Sequence, residues 1–104
     1  MPENRRSSTR HPVDIPATLA ASAASHNAAM LNLSLGGALL ACTDSGLRMG
    51  EKVTVTFSIP THNAAIEVGG AVRWVSAETV GVQFDGMRAR EVWSLNKFFE
   101  TLPE

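Results

Sequence analysis

Three arginines, Arg5, Arg6 and Arg10, stand within the first ten residues, in the opening stretch MPENRRSSTRHP, and no lysine accompanies them. The distinction is chemical. A guanidinium presents a planar fork of donors that pairs with two phosphate oxygens or with the O6 and N7 edge of guanine, which an ammonium cannot do. Arg6 and Arg10 are spaced so that an extended or turning arm presents both to one anionic ligand, with Arg5 directed elsewhere. A second group with binding chemistry lies in NLSLGG, residues 32 to 37. Asn32 and Ser34 are two apart, so on an extended chain both hydrogen-bonding side chains leave the same face. Gly36 and Gly37 remove side chains where a turn or a flat ligand must approach the backbone closely. Each group also has a plainer explanation. A polar basic terminus serves as a frayed, solubilising end, and Asn, Ser and Gly are the residues of which hairpin turns are made.

Charge and composition set the frame for these residues. With Glu3 as the one carboxylate among them, the first twelve residues carry a side-chain charge of about +2, while the whole chain stands at −1. The positive charge is therefore local, and the remainder is acidic. At 104 residues and 44% hydrophobic the chain suits one domain with one core. A single cysteine, Cys42, excludes an internal disulfide and reads as a small buried apolar residue, and His11, His26 and His62 show no zinc-ligand spacing. The apolar run that a signal peptide needs is broken by His11, Pro12, Asp14 and Pro16, and nothing approaches a membrane span. A cytoplasmic protein without membrane insertion is expected. The absence of Tyr, an aromatic content of 6% and an acidic body argue against DNA or RNA as partner. No nucleophile, base and orienting group can be assembled, so neither an enzyme nor a metal or cofactor is expected.

The dominant period along the chain is two. ATLAAS and AAMLNLS are short strands across a tight connection, and GALLACT forms a third after the glycine pair. DSGLRMGE is a loop. KVTVTFSIP places Val53, Val55, Phe57 and Ile59 on one face and polar residues on the other. In AAIEVGGAVRWVS, Ile66, Val68, Val72 and Trp74 share a parity, with Gly69-Gly70 expected to make a bulge or bend, and TVGVQFD is the last strand. About six short antiparallel strands in so short a chain predict a small closed or nearly closed barrel. From Asp85, read as an N-cap, the period changes. Val92, Leu95, Phe99 and Leu102 recur at three and four residues with Phe98 beside them, predicting an amphipathic helix over about 86–102, stopped by Pro103 and buried against the barrel. Trp93 lies off that stripe and is expected half exposed, a candidate partner surface.

Taken together, Arg6-x-x-x-Arg10 and Asn32-x-Ser34-x-x-Gly37 resemble the paired signature of the PilZ domain, an RxxxR element followed by a (D/N)xSxxG element. GGAVRWV at 69–75 and VGVQF at 80–84 look like the later strands of that family. The resemblance covers essentially the whole chain. It implies an all-β fold, a six-stranded antiparallel PilZ-type barrel at 13–104 with one C-terminal helix, preceded by a flexible arginine-rich arm at 1–12.

The resemblance also implies cyclic di-GMP as ligand, whose two phosphates and two guanines are the groups that arginine forks recognise. By it Arg6 and Arg10 clamp phosphates and guanine edges, Asn32 and Ser34 hydrogen-bond a guanine, and Gly36 and Gly37 leave room for the base. Arg5, just before RxxxR, goes in this family with two mutually intercalated ligand molecules per chain. Trp74 has two readings of equal standing: it packs near the ligand, as in similar domains, or it belongs to the core with Val72. Arg73, of opposite parity, faces solvent. Asn32 stands where many relatives have Asp, which removes a negative charge opposite the guanine N1 and N2 protons and lowers the expected affinity. The implied mechanism is a sensor whose arm orders when ligand bridges it to the barrel, changing contacts with an unidentified downstream protein. The alternative is an interaction module of the same fold that does not bind the nucleotide.

Overall fold

The computed structural model describes residues 11–102, apart from 23, 44 and 63. Its elements run β1 His11–Ala21, β2 Ser25–Leu33, β3 Gly37–Ala41, β4 Lys52–Phe57, β5 Ile66–Val75, β6 Thr79–Phe84 and α1 Ala89–Glu100. All pairings are antiparallel, and the sheet closes on itself in the order β1-β2-β3-β6-β5-β4. Closure removes free sheet edges, which is how so short an all-β chain avoids edge-to-edge pairing. The expected six-stranded barrel with one C-terminal helix is the observed fold.

The alternation of KVTVTF is realised directly, with Val53, Val55 and Phe57 buried. The first strand is longer than the alanine-rich ATLAAS suggests and starts at His11, so His11 and Pro12 lie in the barrel and not in the arm. It tolerates two prolines because its pairing with β4 begins only at Ala17; Pro12 and Pro16 sit where β1 has a ladder partner on the β2 side alone. The expected bulge at Gly69-Gly70 is absent. The β5 ladder with β4 runs through both glycines in unbroken register. Gly70 is instead a close approach, since a Cβ there would overlap the carbonyl oxygen of Gln83 on β6.

Leu19, Met30, Leu33, Leu40, Val55, Ile66, Val72 and Val80 fill the barrel, and Leu95 and Phe98 of α1 join the same cluster, so the helix packs on the barrel. The helix is shorter than the period predicted, and Arg88, not Asp85, is its N-cap. Asp85 is still tied to the sheet: its N–H donates to the Gly69 carbonyl at 2.8 Å, and its carboxylate lies 3.6 Å from Lys52 Nζ. Gly86 follows at φ +151°, a backbone conformation that favours glycine, and Glu91 Oε1 accepts the Arg88 N–H at 3.2 Å as one half of a capping box. The proposed stop, Pro103, lies outside the described residues.

Phe98 takes the buried position expected of Phe99. Phe99 stacks on His11 at the start of β1, ring centroids 4.1 Å apart. The loop after β4 is fastened to α1 by Thr61 Oγ1 donating to the Ser94 carbonyl at 2.7 Å and by a 2.7 Å bond between His62 Nδ1 and Ser94 Oγ. Cys42 is buried, and burial pushes its thiol pKa up. Among the described residues no helix is long and apolar enough to cross a membrane, and no group of His, Cys, Asp or Glu is arranged to hold a metal ion.

Candidate functional site

Two single-residue bulges decide which side chains reach the outer face of the barrel. On β2, Met30 pairs with Leu40 but Asn32 with Leu39, leaving Leu31 as the extra residue. On β5, Val72 pairs with Val82 but Trp74 with Gly81, leaving Arg73 as the extra residue. Each bulge reverses the parity of the residues beyond it on the strand. Leu33 and Val75 turn toward the core, and Asn32 and Trp74 turn outward. The core reading of Trp74 therefore fails: its indole is 43% exposed.

Both outward residues fall in one cross-strand row. Pro12 pairs with Asn32, Asn32 with Leu39, Leu39 with Gly81 and Gly81 with Trp74, across β1, β2, β3, β6 and β5. Gly81 is the seat of the tryptophan. A Cβ placed on it would lie 2.5 Å from Trp74 Nε1, 2.8 Å from Cδ1 and 3.0 Å from Cε2, so the indole lies flat on bare backbone. A glycine inside the alternating strand TVGVQF is the signal that could have found this seat.

The turn between β2 and β3 closes the other side. Ser34 is buried, and its Oγ accepts the N–H groups of Gly36 and Gly37, both at 3.1 Å, and donates to the Gly37 carbonyl at 3.2 Å. One donor and two acceptor positions are all that a hydroxyl has, so every one is engaged within the turn. Gly37 is a packing glycine: a Cβ there would overlap the Val82 carbonyl oxygen and lie 3.4 Å from Gln83 Cα. Gly36 is open, with Ser34 Oγ at 4.0 Å as the nearest atom to an added Cβ.

Between this turn and Trp74 lies a cleft of about 390 Å³. Ser34, Gly36 and Gly37 form one wall, Arg73 and Trp74 the other, and Gly81, Val82 and Gln83 of β6 the floor. One cation and no carboxylate line it among the described residues. The structure thus brings together Ser34, Gly36, Gly37 and Trp74 of the sequence-predicted residues and adds Arg73, Gly81 and Gln83. Asn32 is half-buried in the same row but does not line the cleft, because Leu39 stands between. Arg5, Arg6 and Arg10 lie outside the described residues. A flat aromatic wall, one guanidinium and an exposed amide, Gln83, make a surface that can hold a planar, anionic, hydrogen-bonding molecule. The one hydroxyl among the described residues that line the cleft, Ser34 Oγ, is locked in its turn.

No curated protein matches the sequence. Among solved structures the barrel is similar to the Bacillus subtilis inhibitor of motility MotI/DgrA, at TM-score 0.71 and 14% identity over 88% of this chain and 50% of that one. It is similar to the Borreliella burgdorferi PlzA protein, solved in complex with c-di-GMP, at TM-score 0.66 and 18% identity over 88% of this chain and 39% of that one. It is also similar to the PilZ domain of CeSA from a cellulose-synthesizing bacterium, at TM-score 0.71 and 14% identity over 88% of this chain and 95% of that one. The chain thus spans half or less of the first two proteins. At these identities the likeness is one of fold. The sequence itself matches the model of the PilZ domain over residues 4–100, a span that takes in both arginine and NxSxxG elements and the barrel built around them, and the chain belongs to the PilZ domain family.

Proposed function

We propose that the chain is a receptor for cyclic di-GMP, a binding module and not a catalyst, with its ligand held between the N-terminal arginines and the cleft beside Trp74. The observation that carries this reading is the exposed indole laid on Gly81, facing the Ser34–Gly37 turn across an open cleft. Base stacking on an aromatic ring is worth about 1–3 kcal/mol per base, and Trp74, seated on Gly81 yet 43% exposed, offers ring surface for it. Family membership and a c-di-GMP complex of the similar PlzA support the choice of ligand.

In this reading Arg6 and Arg10 pair with the phosphates and guanine edges, and Arg5 stacks on or pairs with a second, intercalated ligand molecule. β1, which continues from the arm, begins opposite Leu33 and Asn32, so the arm joins the barrel at the Asn32 end of the outward row. Asn32 offers both a donor and an acceptor to a guanine. Ser34 acts through shape: its hydroxyl holds the turn that keeps Gly36 open to the cleft, and Gly37 lets β3 close on β6. Arg73 and Gln83 add a charge and an amide to the same pocket. The output is an arm that orders on ligand binding and so changes contacts with a separate cytoplasmic protein.

Calorimetric titration with cyclic di-GMP tests the reading, alongside an Arg6→Ala, Arg10→Ala double variant. Saturable binding near two ligands per chain, lost in the variant, is expected. No heat with the wild type, matched by no change in an NMR titration, refutes the ligand. Amide exchange of residues 1–12 that is equal with and without ligand refutes the ordering of the arm.

A further inference from the structure

The outer face of α1 carries Arg90, Trp93 and Lys97, at spacings of three and four residues, all exposed. Leu95 and Phe98 supply the buried face. Trp93 is 60% exposed, the largest apolar side chain that the helix leaves in water. Lys97 Nζ stands 5.5 Å from the centre of its ring, so a cation already lies over part of the indole. Directly beside this face a groove of about 500 Å³ runs past His62 and Arg88 to Arg90. The acid in that groove, Glu91, has its carboxylate turned back on the Arg88 N–H at 3.2 Å. Glu100 reaches Lys97 only at 3.9 Å, with both side chains largely in solvent, a contact that gives way readily. None of these residues lines the Trp74 cleft.

The geometry points to a docking face for an acidic segment of a partner protein. We infer that an apolar side chain of that segment covers the Trp93 ring while its carboxylates pair with Arg90 and Lys97 and run into the groove at Arg88. Tryptophan and arginine are the residues that most often carry interface energy, and here they are adjacent on one helix, on a chain whose net charge is −1. That charge contrast selects the partner. A nucleic-acid backbone needs a track of cations longer than the roughly 10 Å that seven helical residues span, and the acidic barrel behind the helix repels any extended polyanion. A membrane-lying helix needs a broad apolar outer face, whereas one large apolar side chain is exposed on this helix. An acidic peptide brings few charges to a small patch. The inference rests on the adaptor half of the proposed function and uses a different surface from the ligand cleft.

The test is selection of a random dodecapeptide phage library on the immobilised full chain, with parallel selections on Trp93→Ala and on Arg90→Glu, Lys97→Glu. Selected peptides are then synthesised with a fluorophore and measured by anisotropy. Peptides rich in Asp and Glu around one large apolar residue are expected from the wild type alone, with affinity falling about tenfold or more in each variant and falling further with added salt. Circular dichroism and cyclic di-GMP titration of both variants should match wild type. Neutral or basic peptides, equal binding by the variants, or no enrichment overturns the docking face. Preferential binding of oligouridine or phosphatidylglycerol vesicles, lost in the same variants, overturns the protein partner. Loss of nucleotide binding by the wild type with peptide binding intact removes the ligand reading and leaves the docking face standing.

Discussion

Replacing Gly81 by alanine separates the seat of Trp74 from everything else that the barrel does. The added Cβ would lie 2.5 to 3.0 Å from three indole atoms, well inside contact distance, so the ring must lift or swing outward. It can do so, because its other side is open and it is already 43% exposed. A tryptophan side chain of roughly 250 Å² that is somewhat more than half covered holds up to about 3.5 kcal/mol of burial at about 25 cal/mol per Å². Loss of about half that contact destabilises the fold by about 1–2 kcal/mol, a fall in Tm of about 5–15 °C for a domain of this size. Cyclic di-GMP binding should weaken about 5- to 150-fold, the equivalent of one stacked base. The assays are thermal unfolding, calorimetric titration, and Trp74 emission in a Trp93→Phe background, which should shift as the ring leaves its seat. A double-mutant cycle makes the reasoning vulnerable. In a Trp74→Ala background the same Gly81→Ala change has no indole to displace, and replacing a strand glycine should then be neutral or stabilising by up to about 1 kcal/mol. A Gly81→Ala protein that keeps wild-type melting and emission, or that is equally destabilised with and without Trp74, refutes the seat.

The two glycines of the NxSxxG element should behave oppositely. Gly37→Ala forces a Cβ onto the Val82 carbonyl and should lower stability by about 1–3 kcal/mol or more, as overpacking of rigid backbone does; Gly36→Ala, with nothing closer than 4.0 Å, should melt like wild type while weakening ligand binding, and chemical denaturation with titration of both variants distinguishes them. Burial raises the Cys42 thiol pKa in the folded state, so the native protein holds its proton to higher pH than the unfolded chain does, and the resulting stability is present at neutral pH and lost as pH climbs through the ordinary thiol value of about 8.5 and beyond. Cys42→Ala should show a flatter decline of Tm over that range, and parallel curves for the two proteins would contradict the burial argument.

Strand number, barrel class, the amphipathic helix and the pairing of the two signature elements were legible in the sequence because each depends on local period or on spacing along the chain. KVTVTF needs no partner to declare its buried face, and Leu95 falls within the stripe that the 3.6-residue period marks out, although the buried phenylalanine is Phe98 and not Phe99. The features that were not legible depend on the neighbouring strand. Parity assigned Trp74 to the same face as Val72, and only the pairing of Trp74 with Gly81, one residue out of step, shows that Arg73 is inserted and the indole reversed. Nothing in GGAVRWV distinguishes the two outcomes, since Gly69-Gly70 offered a more obvious place for a bulge and the β4 ladder passes through it without a break in register. The same holds for Leu31, whose insertion turns Asn32 outward and Leu33 inward.

Both insertions fall beside residues of the outward row, and the physics gives a reason. A barrel core must be apolar on every inward position, so a strand in strict alternation can present a large aromatic or a polar amide outward only where the sequence already has the matching parity. One extra residue relaxes that constraint locally at the expense of a ladder step. The device appears on both β2 and β5, the two strands that flank the β3–β6 pair. Between them Leu39 and Gly81 lie side by side, so the row from Asn32 to Trp74 crosses the barrel wall as a single outward strip. With Arg73 in the chain, the outward position of Trp74 depends on its insertion. Deleting Arg73 should therefore close the bulge without moving the indole: Trp74 then follows Val72 directly, still opposite Gly81 and outward in a regular ladder, so the deletion should melt within about 1 kcal/mol of Arg73→Ala and keep the Trp74 emission. A deletion variant several kcal/mol less stable than Arg73→Ala, or one with shifted Trp74 emission, would mean that Trp74 reaches the outer face by another route.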